Sequence, residues 1–194
     1  MPFDWYQEVA PEVPLTQGDL LRGCPIMRWD VEATPEQFEG DNPQEMLVAE
    51  EVDCIVMSQA CDLEHGHIRE VILCPAYPLS EYRTLWQEDQ RSRNQNPTDK
   101  NWRNHLDDIQ DGKIWNLAMI NERSPADEGS IQIEIQIVDF HEIRSVPRAF
   151  VENWAARIGG RRLRLLPPYR EHLSQAFARY FMRVGLPIDI AGQW

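Results

Sequence analysis

The ten residues Ser58-Gln59-Ala60-Cys61-Asp62-Leu63-Glu64-His65-Gly66-His67 decide how this chain is read. They follow one apolar run, Cys54-Ile55-Val56-Met57, and precede another, Val71-Ile72-Leu73-Cys74. Short apolar runs rich in β-branched residues, bounded by polar punctuation, predict buried strands. Residues 52–57 and 69–74 are therefore expected to lie side by side, joined by a polar loop. Pairing Cys54 with Cys74 sets Val56 opposite Ile72 and Ser58 opposite Glu70, with both thiols on one face. The loop itself carries a thiol, two carboxylates and two imidazoles, and a loop held by a rigid scaffold is where chemistry is commonly built.

Working outward toward the N-terminus, Pro2, Pro11 and Pro14 mark an extended entry segment, and Pro14 to Leu21 reads as a turn and a short strand. Residues 30–45 are acidic, with Pro35, Gly40 and Pro43, and read as a surface loop or short helix. Toward the C-terminus, residues 79–111 change character. Ser80 and Glu81 open a helix carrying Leu85 and Trp86. A second helix places Trp102, Leu106 and Ile109 on one side. Strand signals return at 114–120 and in the alternation Ile131, Ile133, Ile135, Ile137. Pro147 begins a helix stopped at Gly159-Gly160, which serves as its C-cap. A basic strand spans 162–166. A last helix carries Tyr169, Leu173, Phe177, Tyr180, Phe181 and Val184 on one side and ends at Gly185 and Pro187.

A chain of 194 residues, 42% hydrophobic and with seven tryptophans, is long and apolar enough to bury a core without a metal or disulfide. Its net charge of −13 argues against general affinity for nucleic acid or an anionic membrane. The charge is uneven: residues 151–194 hold seven arginines against Glu152, Glu171 and Asp189, so a basic tail faces an acidic body. No apolar run approaches the ~20 residues of a membrane span. The first residues have no basic or apolar signal region, which predicts a cytoplasmic protein with free thiols.

Four chemistries fit the loop. Cys54, Cys61, His65 and Cys74 offer thiolate and imidazole ligands for zinc, the one cofactor the sequence suggests. The spacing lacks a C-x-x-C pair, and Cys61 with His65 is the best-placed couple. Cys61 as a nucleophile is opposed by Asp62 beside it, which disfavours the thiolate. Metal-independent phosphodiester cleavage needs a general acid, a general base and a cation. Asp62, Glu64, His65 or His67 supply the first two, and Arg22, Arg28 or Arg69 the third. Finally, Ser58, Gln59 and Asp62 suit a structural role, bonding nearby amides to fix the turn. Signatures for phosphate loops, dinucleotide folds, serine hydrolases and zincins are absent.

The succession of Gly18-Asp19-Leu20-Leu21, then Val52 to Met57 ending in Ser58-Gln59, then Val71 to Cys74, resembles the start of the PemK/MazF-type family. The resemblance covers about residues 15–75. It implies an SH3-like β-barrel and, for many members, endoribonuclease toxin activity. The basic-Pro step that usually precedes the apolar strand is replaced here by Val52-Asp53-Cys54. Thr16 to Leu21, Gln59 to Gly66 and the closing Tyr169-to-Pro187 segment also resemble a group of bacterial proteins with a Q-A-C-D-L-E-H-G motif, which supplies no activity.

The expected architecture is one α+β domain over residues 1–194. It is a partly open SH3-like β-barrel, with strands over about 15–75 and 114–145. A helical insertion lies at about 79–111, and two C-terminal helices at about 147–158 and 168–184. The expected function is a bacterial cytoplasmic interaction or regulatory module on a toxin-like barrel, with a protein partner. The alternatives are a metal-independent endoribonuclease acting through Asp62, His65, His67 and Arg22, with RNA as partner, and a zinc-stabilised domain. None of the three involves a membrane.

Overall fold

The computed structural model describes residues 4–30, 32–38, 46–125, 129–157 and 160–182. In chain order they form β1 (Tyr6–Val9), β2 (Leu20–Trp29), α1 (Pro35–Phe38), β3 (Leu47–Val56), α2 (Ala60–Glu64), β4 (Glu70–Pro78), α3 (Leu79–Ser92), α4 (Asp99–Gln110), β5 (Leu117–Ile120), β6 (Gln136–Asp139), β7 (Arg144–Pro147), α5 (Arg148–Arg157), β8 (Arg162–Leu165) and α6 (Tyr169–Phe181). All strand pairings are antiparallel. The main sheet runs β2-β3-β4-β6-β5, with β7 on the first half of β4, while β1 and β8 form a separate ribbon. A bridge between Asp19 and Arg164 ties that ribbon to the start of β2. Among the described residues β5 and β1 do not pair, so the sheet stays open. The fold is α+β.

β4 is the hub. Its residues Leu73 to Pro75 pair with β3, Glu70 to Leu73 with β7, and Ala76 to Pro78 with β6. Pro75 stands where the strand changes partner, a position that tolerates the loss of a ladder N–H. Both faces of this centre are covered. One core gathers Ile55, Met57, Cys74, Ala76, Val138 and Phe140 beneath Leu173 of α6. The other gathers Cys54, Val56, Val71, Leu73 and Leu63 beneath Val151 of α5. Each large apolar side chain fully buried there contributes about 1.5–3 kcal/mol.

Residues 52–57 and 69–74 are neighbouring extended segments, as expected, but the register is offset by one residue. Cys54 faces Pro75, Ile55 faces Cys74 and Val56 faces Leu73. The alternation that fixes register in a half-exposed strand is missing when both faces are apolar. Cys54 and Cys74 consequently enter different cores.

Between β4 and β5 stand the helices α3 and α4. Tyr82, Trp86, Trp102 and His105 pack together where the two helices meet, and the Tyr82 hydroxyl lies 2.9 Å from His105 Nε2. The isoleucine alternation is only partly a strand: β6 begins at Gln136, and Ile133 makes one bridge to Arg123. Side chains meet this segment's backbone in place of a ladder. Glu8 accepts from the Ile131 amide at 2.8 Å, and Arg22 donates to the Gln132 carbonyl. The C-terminal helices appear as α5 and α6. Phe177 and Tyr180 pack on the core, but Phe181 stands 59% exposed, so the aromatic stripe is buried only in part. Residues 183–187 and Gly159, with the helix stops expected there, lie outside the described residues.

Candidate functional site

The polar connector is a short helix rather than a loop. Gln59 is extended and makes no side-chain cap, Ala60 to Glu64 form α2, and Gly66 at φ +69° turns the chain out of it. Leu63 anchors the helix in the core. The buried hydroxyl of Ser58 accepts a 2.8 Å bond from the Ile72 amide, which ties the helix to the start of β4. Of the three residues suited to a capping role, Ser58 takes it, while Gln59 instead accepts from the Cys61 thiol at 3.7 Å.

The acid–base candidates stand on the outside of this turn. His65 and His67 have ring centroids 5.5 Å apart, and His67 Nδ1 lies 3.9 Å from Asp62 Oδ1, beyond hydrogen-bond reach. The His67 side chain is 67% exposed, and His65, Glu64 and Gly66 are exposed too. Arg22 is engaged elsewhere, lining a small recess with Asp53, Arg161 and Arg162. Arg28 pairs with Glu50 at 2.9 Å. A cation brought to the turn from far along the chain is Arg148 at the start of α5, which pairs with Glu152 at 2.7 Å: a Cβ on Gly66 would lie 3.4 Å from its Nη1. Sequence reasoning missed it, since Arg148 is far along the chain and reaches the turn through β7.

Among the described residues no three His, Cys, Asp or Glu side chains gather as a metal site would require. The register explains part of this. Cys54 and Cys74 occupy opposite faces of the sheet, and burial pushes the Cys74 thiol up to about 12 and that of Cys54 higher still. α2 does place Cys61 and His65 one helical turn apart, on the same side.

An ionic cluster that the sequence reading did not single out joins the two ends of the chain. The carboxylate of Asp19 is fully buried. It accepts from Arg162 Nε at 2.8 Å, from Arg164 Nε at 2.6 Å and from the Thr16 amide at 3.2 Å. Arg162 also donates to the carbonyls of Ala10, Val13 and Pro14. Two residues apart on β8, both arginines leave the same side of the strand while Leu163 and Leu165 enter the core. Beside the carboxylate, Gly18 at φ +84° leaves room that a Cβ would fill, 3.1 Å from Leu165 Cβ. Thr16, Gly18 and Asp19 of the T-Q-G-D motif and two of the seven tail arginines, Arg162 and Arg164, thus form one structural staple.

The large concavity lies elsewhere. A groove of about 520 Å³ runs between α6 and the floor provided by β5, with the end of α4 as its second wall. At one end Trp5 stacks on Tyr169, with centroids 3.7 Å apart and planes 9° from parallel. At the other end Arg179 lies over the Trp115 ring at 4.6 Å and donates to the Gly112 carbonyl. Among the described residues its lining carries no Asp, Glu, Lys or Arg; Gln110, Asn121 and His172, with the Tyr169 hydroxyl and the Trp5 indole N–H, are its polar groups.

Fold and site together define an α+β protein with an open antiparallel sheet, a surface turn carrying Asp62, His65 and His67, and a groove whose described lining is uncharged. No family model, no curated protein and no solved structure matches the chain. Among the described residues, no helix is long and apolar enough to cross a membrane.

Proposed function

We propose that this protein is a non-catalytic interaction or regulatory module of the bacterial cytoplasm, built on an SH3-like, toxin-type barrel that has stayed open. One observation carries the reading: His65 and His67 stand exposed on the turn, and His67 Nδ1 lies 3.9 Å from Asp62 Oδ1, beyond hydrogen-bond reach. General acid–base catalysis needs groups held at hydrogen-bond distance, and electrostatic catalysis needs water excluded from around them. Among the described residues the exposed imidazoles and the 3.9 Å separation supply neither. A surface suited to a protein partner is present on the outer parts of β2 and β3. There Met27 and Trp29 are about 60% exposed, and Trp29 sits opposite Leu47, itself 38% exposed.

The second reading, a metal-independent endoribonuclease, draws on the spacing of His65, His67 and Asp62 and on Arg148 in place of Arg22. A zinc-stabilised domain would hold Cys61 and His65 alone, two ligands short of a closed tetrahedral site. Incubation of the purified chain with labelled RNA in chelator decides between the first two. The module reading expects intact RNA. Cleavage that is lost in both His65→Ala and Asp62→Ala overturns it. A photo-crosslinking residue placed at position 29 in bacterial cells should give a discrete adduct, while one placed at exposed position 103 on α4 should give none.

A further inference from the structure

We infer that the groove between α6 and β5 is a binding site for an uncharged, largely apolar small molecule bearing an aromatic ring. This goes beyond the interaction-module reading and stands without it. The groove is a constructed feature of the fold. Its depth comes from small residues on facing walls, Ala176 on α6 and Ala118 on β5, with Gly112 at the turn after α4. A helix packed against a strand would ordinarily fill such a space with side chains, because interiors are close-packed and voids cost stability. Here α6 is fixed at both ends, by the Trp5–Tyr169 stack at its start and by the Arg179 strut onto Trp115 and Gly112 near its end. A site held open before its guest arrives loses little on binding.

The chemistry of the guest follows from the lining. At about 520 Å³ the volume falls in the range of roughly 300–1,000 Å³ typical of small-molecule sites. The floor and walls are aliphatic, and Trp5 and Tyr169 present ring surface at one end. Among the described lining residues there is no carboxylate, lysine or arginine, so a charge taken from water onto that lining meets no counter-ion within it. Arg179 is already committed to a carbonyl and an aromatic face. Gln110, Asn121 and His172 offer donors and acceptors to a neutral polar group on the guest.

The test uses the full chain and a neutral fluorescent probe, N-phenyl-1-naphthylamine. Saturable binding of one probe per chain is expected, with affinity at least ~10-fold above that for the anionic 1-anilinonaphthalene-8-sulfonate, whose charge would be desolvated against a lining without lysine or arginine among the described residues. Ala176→Phe fills the slot without removing a contact and should abolish binding while leaving the circular dichroism spectrum unchanged. If that variant does not fold, Ala118→Met fills the opposite wall and takes its place. Absence of saturable binding, equal affinity for the sulfonate, or undiminished binding in a folded slot-filling variant each overturns the assignment.

Discussion

Asp19 and Arg162 meet at 2.8 Å inside the protein, the carboxylate wholly buried and the arginine side chain 4% exposed. They lie 143 residues apart, and their contact locks the N-terminal segment, the start of β2 and β8 into one unit. Removing one partner of a buried pair strands the other charge, which costs about 3–5 kcal/mol. Asp19→Ala should therefore lower the midpoint of urea denaturation by a corresponding amount. An exposed-pair control, Asp89→Ala, which breaks a contact with Arg93, should change stability by under about 1 kcal/mol. Equal effects from the two substitutions would contradict the staple.

The Ile72 amide donates to the Ser58 hydroxyl at 2.8 Å, and Ser58 is buried. Leaving that amide unmet costs about 1–3 kcal/mol. Ser58→Ala should destabilise by that amount in chemical denaturation. Thr84→Ala, at an exposed helical site, should be close to neutral.

Burial of His105 among Tyr82, Trp86 and Trp102 holds its imidazole below the ordinary histidine range. The sign follows from linkage. Below about 6.5 the unfolded chain takes up a proton that the folded histidine resists, so stability falls as pH drops through that value and is retained above it. Nearby Asp108 and Asp89 oppose the shift without reversing it. Comparing thermal midpoints at pH 8 and pH 5.5, wild type should lose more on acidification than His105→Phe. Parallel losses in the two proteins would refute the assignment.

Cys61 is exposed, while Cys24, Cys54 and Cys74 are buried, and all four are free. Burial pushes the Cys24 thiol up to about 11 and that of Cys74 to about 12. Since the thiolate is the reacting form, native protein should titrate one fast thiol with Ellman's reagent and four in denaturant. Cys61→Ser should remove the fast phase entirely.

Much of the fold could be read from residues that report on their own neighbourhood. Val52–Met57 and Val71–Cys74 announce strands through β-branching. Trp102, Leu106 and Ile109 announce a helix through period, and the insertion at 79–111 shows as a change of composition. The pairing offset between β3 and β4 was hidden because both faces of those strands are apolar, so either register buries the same residue types. The isoleucine alternation overstated its strand because Glu8 and Arg22, distant in sequence, satisfy part of that backbone with side chains.

The sequence by itself determined that β3 and β4 extend, that α3, α4 and α6 coil and where the chain is polar, because those properties depend on residues a few positions apart. Only the tertiary structure decided that Cys54 and Cys74 part to opposite cores and that Asp19 faces two arginines from the far end of the chain. It also decided that the turn's histidines stand in solvent while an uncharged groove opens beneath α6. Those outcomes depend on the one-residue offset between two strands and on where long-range contacts stop, and neither is encoded in a local pattern.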